Sequence, residues 1–181
     1  MGTSFTVSAY LQVVRGYNAI QTGVIFTAAT VGILTSSLAA ERLAKKHPQR
    51  SLIVTGFITT LCGIVLLLAM ASVYTSPWAS SPGLLLIGLG GGVMMTPSVN
   101  VVQSSFPDEQ QGEISGLSRS VSNLGSSLGT AVAGTILVAG LVSRSYALAM
   151  ISLGLVGVIG LVAAIFLPAN PVAEGVGGSA D

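Results

Sequence analysis

Few side chains in this 181-residue sequence have the type and spacing that chemistry requires. It holds one His and one Cys, His47 and Cys62, too few and too far apart for a metal, which needs three or four converging donors. No G-x-S-x-G elbow presents a nucleophile. The run Gly88-Leu89-Gly90-Gly91-Gly92 starts like a dinucleotide fingerprint. Val93 then stands where the last Gly belongs, and no strand precedes it. Without a nucleophile beside a base, or paired carboxylates within the apolar runs, the sequence points away from an enzyme. What stands out is a scatter of single polar residues inside long apolar runs: Tyr10, Gln12, Thr96, Asn100, Gln103 and Asn123, with one charge, Arg119.

The elements that carry these residues follow from composition. Charged residues are 7% of the chain, where a soluble domain has about 25%. Hydrophobic residues are 51% and mean hydropathy is +0.82. So few charges cannot cover a soluble surface. The net charge of +1 excludes a basic nucleic-acid footprint, so nucleic acid is not an expected partner. The lipid bilayer is.

About 20 apolar residues cross the hydrocarbon core as a helix. Full spans are expected at about 18–40, 51–73, 83–104, 113–141 and 146–167. Residues 1–14 would be a truncated helix, because at 1.5 Å per residue they reach only about 21 Å. Ile64–Leu68 and Leu155–Val162 do not alternate polar with apolar, which excludes barrel strands. The fold class is therefore all-α, a polytopic membrane bundle over 1–168. A Gly-rich tail, 169–181, is expected to be disordered.

Loop charges set the orientation. Arg42, Lys45, Lys46 and Arg50 crowd one short connection, which belongs in the cytoplasm. Alternation then places the C-terminus in the cytoplasm too. Arg15 and Arg144 oppose this, one per loop. Tyr17, Tyr74, Trp78 and Tyr146 fall at the opposite interface, as an aromatic belt would.

The helices differ in make-up. Small residues four apart let helix backbones approach closely in lipid, and Gly88 with Gly92, Gly112 with Gly116 and Gly125 with Gly129 have that spacing. Gly88, Gly92, Gly116, Gly125 and Gly129 are thus candidate packing residues. Pro97 interrupts the same helix as Gly88. The 51–73 and 146–167 runs are mostly Leu, Ile, Val and Ala and read as lipid-facing shields. The other three full spans carry Ser, Thr, Asn and Gln and read as facing a protein interior.

Arg119 lies about two turns inside its span, where insertion costs about 2.5–3.5 kcal/mol. It faces a cavity or snorkels to the interface; both stay open. Asp108, with Gln111 three residues on, has the capping pattern for the 113–141 helix. Tyr10, Gln12, Thr96, Asn100, Gln103, Arg119 and Asn123 either line a pathway or bond between helices. No Asp or Glu stands mid-span.

Taken in order, Tyr10-Leu11-Gln12, Gln21-Thr22-Gly23, the basic loop 40–50, Gly112-Glu113-Ile114-Ser115-Gly116 and Ser122–Ala131 resemble the major facilitator superfamily, most closely its fourteen-span multidrug–proton antiporter branch. The likeness covers roughly 5–168 and is most specific over 112–134. It implies the C-terminal six-helix half of a secondary transporter in a bacterial cytoplasmic membrane. The partner it implies is the missing N-terminal half, the substrate a small amphipathic organic molecule, and the energy source a proton gradient, with no cofactor. It also implies alternating access, with Tyr10, Gln12 and Asn123 as cavity residues. Arg42 and Arg50 match basic positions of the family's loop motif. Lys45 and Pro48 stand where that motif has Asp and Gly. The coupling acid is expected outside this sequence. Two alternatives remain: an accessory membrane protein that packs through its Gly faces, and a permease for another small solute.

Overall fold

A computed structural model describes residues 2–44, 47–73, 76–104, 106–140 and 143–167. Helices α1 (Gly2–Ala9), α2 (Ala19–Ala44), α3 (Gln49–Val73), α4 (Ser81–Ser104), α5 (Gln111–Val138) and α6 (Ser143–Ile165) make up the fold. A π-helical turn, Tyr10–Val14, prolongs α1. Short 3-10 turns, Pro77–Ser80 and Asp108–Gln110, lead into α4 and α5. No strand occurs among the described residues. Five of the helices are long and apolar enough to cross a membrane.

Local chemistry explains the helix ends. Asn18 and Gln21 close a reciprocal box before α2. The Gln21 amide donates to Asn18 Oδ1 at 2.8 Å, and the Asn18 amide donates to Gln21 Oε1 at 3.2 Å. At its other end α2 runs past the expected boundary near 40, through Glu41 and Arg42 to Ala44. Ala, Glu, Arg and Leu are all good helix formers, so leaving the apolar run does not stop the helix. The expected cap at α5 takes another form: Gln110 holds the cap position with no side-chain cap bond. The Asp108 side chain lies outside the described residues, as do Lys45, Lys46 and the tail 168–181.

Packing follows the small residues. α4 is wedged between α2 and α3. α6 packs on α3 and α5, and α1 closes the bundle against α5 and α6. On one face of α4, a Cβ at Gly88 would run into the Ala29 carbonyl of α2, and one at Gly92 into Ser36. Gly32 of α2 returns the approach, with Leu85 O at 2.5 Å from its would-be Cβ. On the other face, a Cβ at Gly56 of α3 would lie 2.7 Å from Gly90 O, and one at Gly63 2.8 Å from Gly83 O. Residues 88 and 90 are about 200° apart around a helix, so one helix serves two neighbours. The 51–73 span is thus more than a lipid shield, because Gly56 and Gly63 let α4 approach it closely.

The core gathers Val7, Tyr10, Leu11, Ile25, Leu67, Leu84, Tyr146 and Met150. Around it the outward faces are apolar: Ile20, Leu34 and Leu38 on α2, Val65 on α3, Leu155 and Ile159 on α6. Such a surface suits hydrocarbon and not water. Trp78 is exposed, as a belt residue would be, but Tyr146 is not one. It lies in the core, 2% exposed. Tyr74 falls outside the described residues.

Candidate functional site

α5 carries a polar stripe, although Ser118, Ser120 and Ser127 lie off it. Ser115, Arg119, Ser122 and Ser126 recur at steps of four, three and four, with Asn123 beside them, so they share a helix face. Leu117, Val121, Leu124 and Leu128 recur the same way, about 200° from the polar stripe. About five turns after Ser115, the polar stripe's own face becomes Ala133 and Leu137, which are buried. One face of α5 is therefore apolar and packed in its second half, and polar in its first.

The polar half is uncovered. Arg119, Ser122 and Asn123 are exposed, and Leu117, Leu124 and Leu128 on the far side are about 60% exposed or more. At its start, α5 is tied to α4 by Gln103 Nε2, which donates to Ser115 Oγ at 3.0 Å. At its other end it meets α1, where a Cβ at Gly134 would sit 3.3 Å from the Phe5 ring. Between these two attachments lies an open stretch with Arg119 and Asn123 on it. A guanidinium and an amide there can donate to anionic or carbonyl groups of a solute, and the amide can also accept.

The other candidates are placed as follows. Asn100 is exposed on α4, one turn from Gln103. Gln103 itself is half-buried and bonded to Ser115, so it joins two helices. The Thr96 side chain is outside the described residues. Gln12 is exposed and donates to Ser8 Oγ on its own helix at 3.0 Å. Tyr10 is not on an open face: it is 3% exposed, and its ring stacks on Tyr146 with centroids 4.0 Å apart. An aromatic body is most stable in the core, and Arg15 satisfies its hydroxyl there. Arg42 is exposed at the end of α2 and Arg50 half-buried at the start of α3, framing the basic connection.

The glycines separate into two groups. Gly88 and Gly92 are closed in by α2. Gly129 admits α1, since a Cβ on Gly2 would lie 3.1 Å from its carbonyl. Gly116 and Gly125 meet nothing within 4 Å among the described residues, so no described helix packs on them. Sequence reasoning passed over Gly32, Gly56, Gly63 and Gly83, and noted Gly90 without assigning it a packing contact. The spacing of seven in Gly56 and Gly63, two turns on one face, was a usable signal. It also read Arg15 only as a loop charge, whereas the guanidinium is embedded between helices.

Comparison with known proteins fits this geometry. The family model described as Major Facilitator Superfamily matches residues 1–180. The chain is similar to the multidrug efflux pump LfrA of Mycolicibacterium smegmatis, 30% identical over 139 residues, covering 77% of this chain and 27% of that protein. It is similar also to the tetracenomycin C resistance and export protein of Streptomyces glaucescens, 32% identical over 145 residues, 76% of this chain and 25% of that one. A third relative is the multidrug transporter protein MdtP of Bacillus subtilis, 26% identical over 131 residues, 72% of this chain and 24% of that protein. The chain spans about a quarter of the length of these curated relatives.

Proposed function

The chain belongs to the Major Facilitator Superfamily, and from that premise we propose that it is the C-terminal bundle of a drug-efflux transporter. The carrying observation is the uncovered polar stripe of α5, Arg119 and Asn123 foremost, in a helix long and apolar enough to cross a membrane. Polar groups turned to hydrocarbon are costly, and a charge most of all. Such a face is stable only against water or protein. A second bundle facing α5 across a solvated path supplies both.

In this reading the substrate is a small amphipathic organic molecule. Support comes from what the relatives are named for: drug efflux, resistance and export. Arg119, Asn123, Asn100 and Gln12 line the path, while Gln103 and Tyr10 hold helices beside it. The two bundles alternate access by rocking, and a proton gradient drives export through an acid outside this sequence. The branch is the fourteen-span one. The basic connection Arg42–Arg50 faces the cytoplasm, as does the C-terminus, and the loop contributes to the gate. Gly116 and Gly125 pack on the second bundle.

The test is transport by the complete protein in inside-out vesicles with an imposed pH gradient. An amphipathic cationic dye accumulates, and a protonophore abolishes the accumulation. Arg119→Ala and Asn123→Ala slow it without lowering the amount of folded protein. If no dye moves, and the two variants match the wild type in every respect, the reading fails and an accessory packing role takes its place.

A further inference from the structure

Arg15 does more than end a helix. Its Nε donates to the Tyr10 hydroxyl at 2.8 Å, and its guanidinium carbon is 5.4 Å from the centre of the Tyr10 ring. A second guanidinium nitrogen donates to the Ala71 carbonyl at 3.1 Å. Ala71 lies in the last turn of α3, where carbonyls have no partner within the helix. A cation there also offsets the negative end of the helix dipole. Tyr10 in turn stacks on Tyr146 near the start of α6, the planes 23° apart. One side chain thereby ties α1 directly to α3 and, through the Tyr10 ring, to α6.

The backbone is shaped for this contact. Along an α-helix, residues five apart stand about 140° apart around the axis, so Tyr10 and Arg15 would not meet. The turn Tyr10–Val14 is π-helical instead: the Arg15 amide donates to Tyr10 O, five residues back, at 3.1 Å. The Tyr17 amide then closes the helix end on Leu11 O, six residues back, at 3.0 Å. This wider winding brings residues five apart onto one side. π turns are rare and recur at functional positions. Gly16 then takes φ +71°, a left-handed conformation that suits Gly, and turns the chain toward α2.

We propose that Arg15 is a positioning residue for transport, clamping the ends of α1, α3 and α6 into one body that moves as a unit during the cycle. This rests on the transporter reading. The clamp needs the planar fork of Arg, which donates in two directions while lying near a ring. Lys is a point charge on a flexible stem and cannot do all three at once.

The experiment uses the complete transporter carrying Arg15→Lys, Tyr10→Phe or both, compared at equal amounts of folded protein. Its first arm is hydrogen exchange in lipid nanodiscs, which needs no substrate. Arg15→Lys speeds amide exchange over 10–17 and 68–73 about tenfold or more, the scale of a lost hydrogen bond to a charge. The inner segments of α4 are unchanged. The second arm is dye transport. The maximal rate falls about tenfold in Arg15→Lys while the half-saturating concentration stays within about twofold, since binding is not what the clamp serves. Tyr10→Phe keeps the stack, lowers the rate less, and adds little on top of Arg15→Lys. It remains informative should Arg15→Lys not fold.

Exchange that is unchanged in both single variants shows that no clamp exists. Faster exchange with an unchanged transport rate reduces Arg15 to a structural role and overturns the proposal. A wild type that moves no dye removes the transporter reading, and the positioning role with it, while the exchange arm reports the clamp separately.

Discussion

α4 and α5 are both long, glycine-bearing helices, and their glycines meet opposite surroundings. On α4, Gly88 and Gly92 are pressed against α2, and Gly83 and Gly90 against α3. On α5, Gly116 and Gly125 have open space around them. Lipid gives helices no hydrophobic reason to associate, so small residues act by letting backbones come close. α4 spends its small residues inside the chain, on two faces. Gly116 and Gly125 of α5, and the polar residues between them, are left uncovered by the described residues, while Gly129 and Gly134 further on meet α1 and α6. The contrast divides the molecule into a packed wedge that holds shape and an open face, which the proposed function assigns to a second bundle.

The largest expected effect tests the wedge. Gly88→Leu drives a side chain into the α2 backbone at Ala29, which has nowhere to go. It should cost more than about 3 kcal/mol, the upper range for overpacking, and leave little folded protein by size-exclusion chromatography. A folded, wild-type-like Gly88→Leu would break the contrast from the α4 side.

Next is the open face. Arg119→Ala should leave folding unchanged, because no described contact is lost, yet reduce transport about tenfold through loss of a pathway contact. The measurement is dye uptake per folded molecule. A fall in folded protein with unchanged uptake per molecule would make Arg119 a packing residue.

A smaller effect is expected where the two helices touch. Gln103→Ala removes the bond to Ser115, and such interhelical bonds in membranes contribute about 0.6–1.7 kcal/mol. Thermal unfolding of Gln103→Ala, Ser115→Ala and the double variant should show most of that loss as coupling between the pair.

The smallest effect belongs to Gly125→Ala measured on this 181-residue chain, a change within about 0.5 kcal/mol, since the new methyl meets nothing. In the complete transporter the same substitution should reduce stability by more. Equal small effects in both would mean that Gly125 is not a contact to the second bundle.

Much of the architecture was legible in the sequence because bilayer thickness leaves so few choices. Five apolar runs of the right length had to be helices, and Gly88 with Gly92 announced a close approach. The remainder was hidden for physical reasons. Tyr10 and Tyr146 looked like pathway and belt residues, because a sequence does not say which end of an amphipathic ring is buried. Their stack joins positions 10 and 146, which only the tertiary fold brings together. Arg15 could not be matched with Tyr10, since α-helical spacing keeps them apart and no residue pattern announces a π turn. On α5 the polar stripe was readable as spacing, but its openness was not, because exposure depends on which helices pack beside it.

The central claim is that the polar stripe of α5 faces a solvated path and the leucine stripe does not. In the complete transporter, with Cys62→Ser and no other cysteine, single cysteines can be set along both stripes. Positions 119, 122, 123 and 126 form one set, and 117, 121, 124 and 128 the other. Labelling in membrane vesicles with a membrane-impermeant thiol reagent should modify the first set, and transported dye should protect it, while the second set stays unlabelled. Labelling that ignores the stripes, or that falls on the leucine positions and spares 119 and 123, would contradict the account.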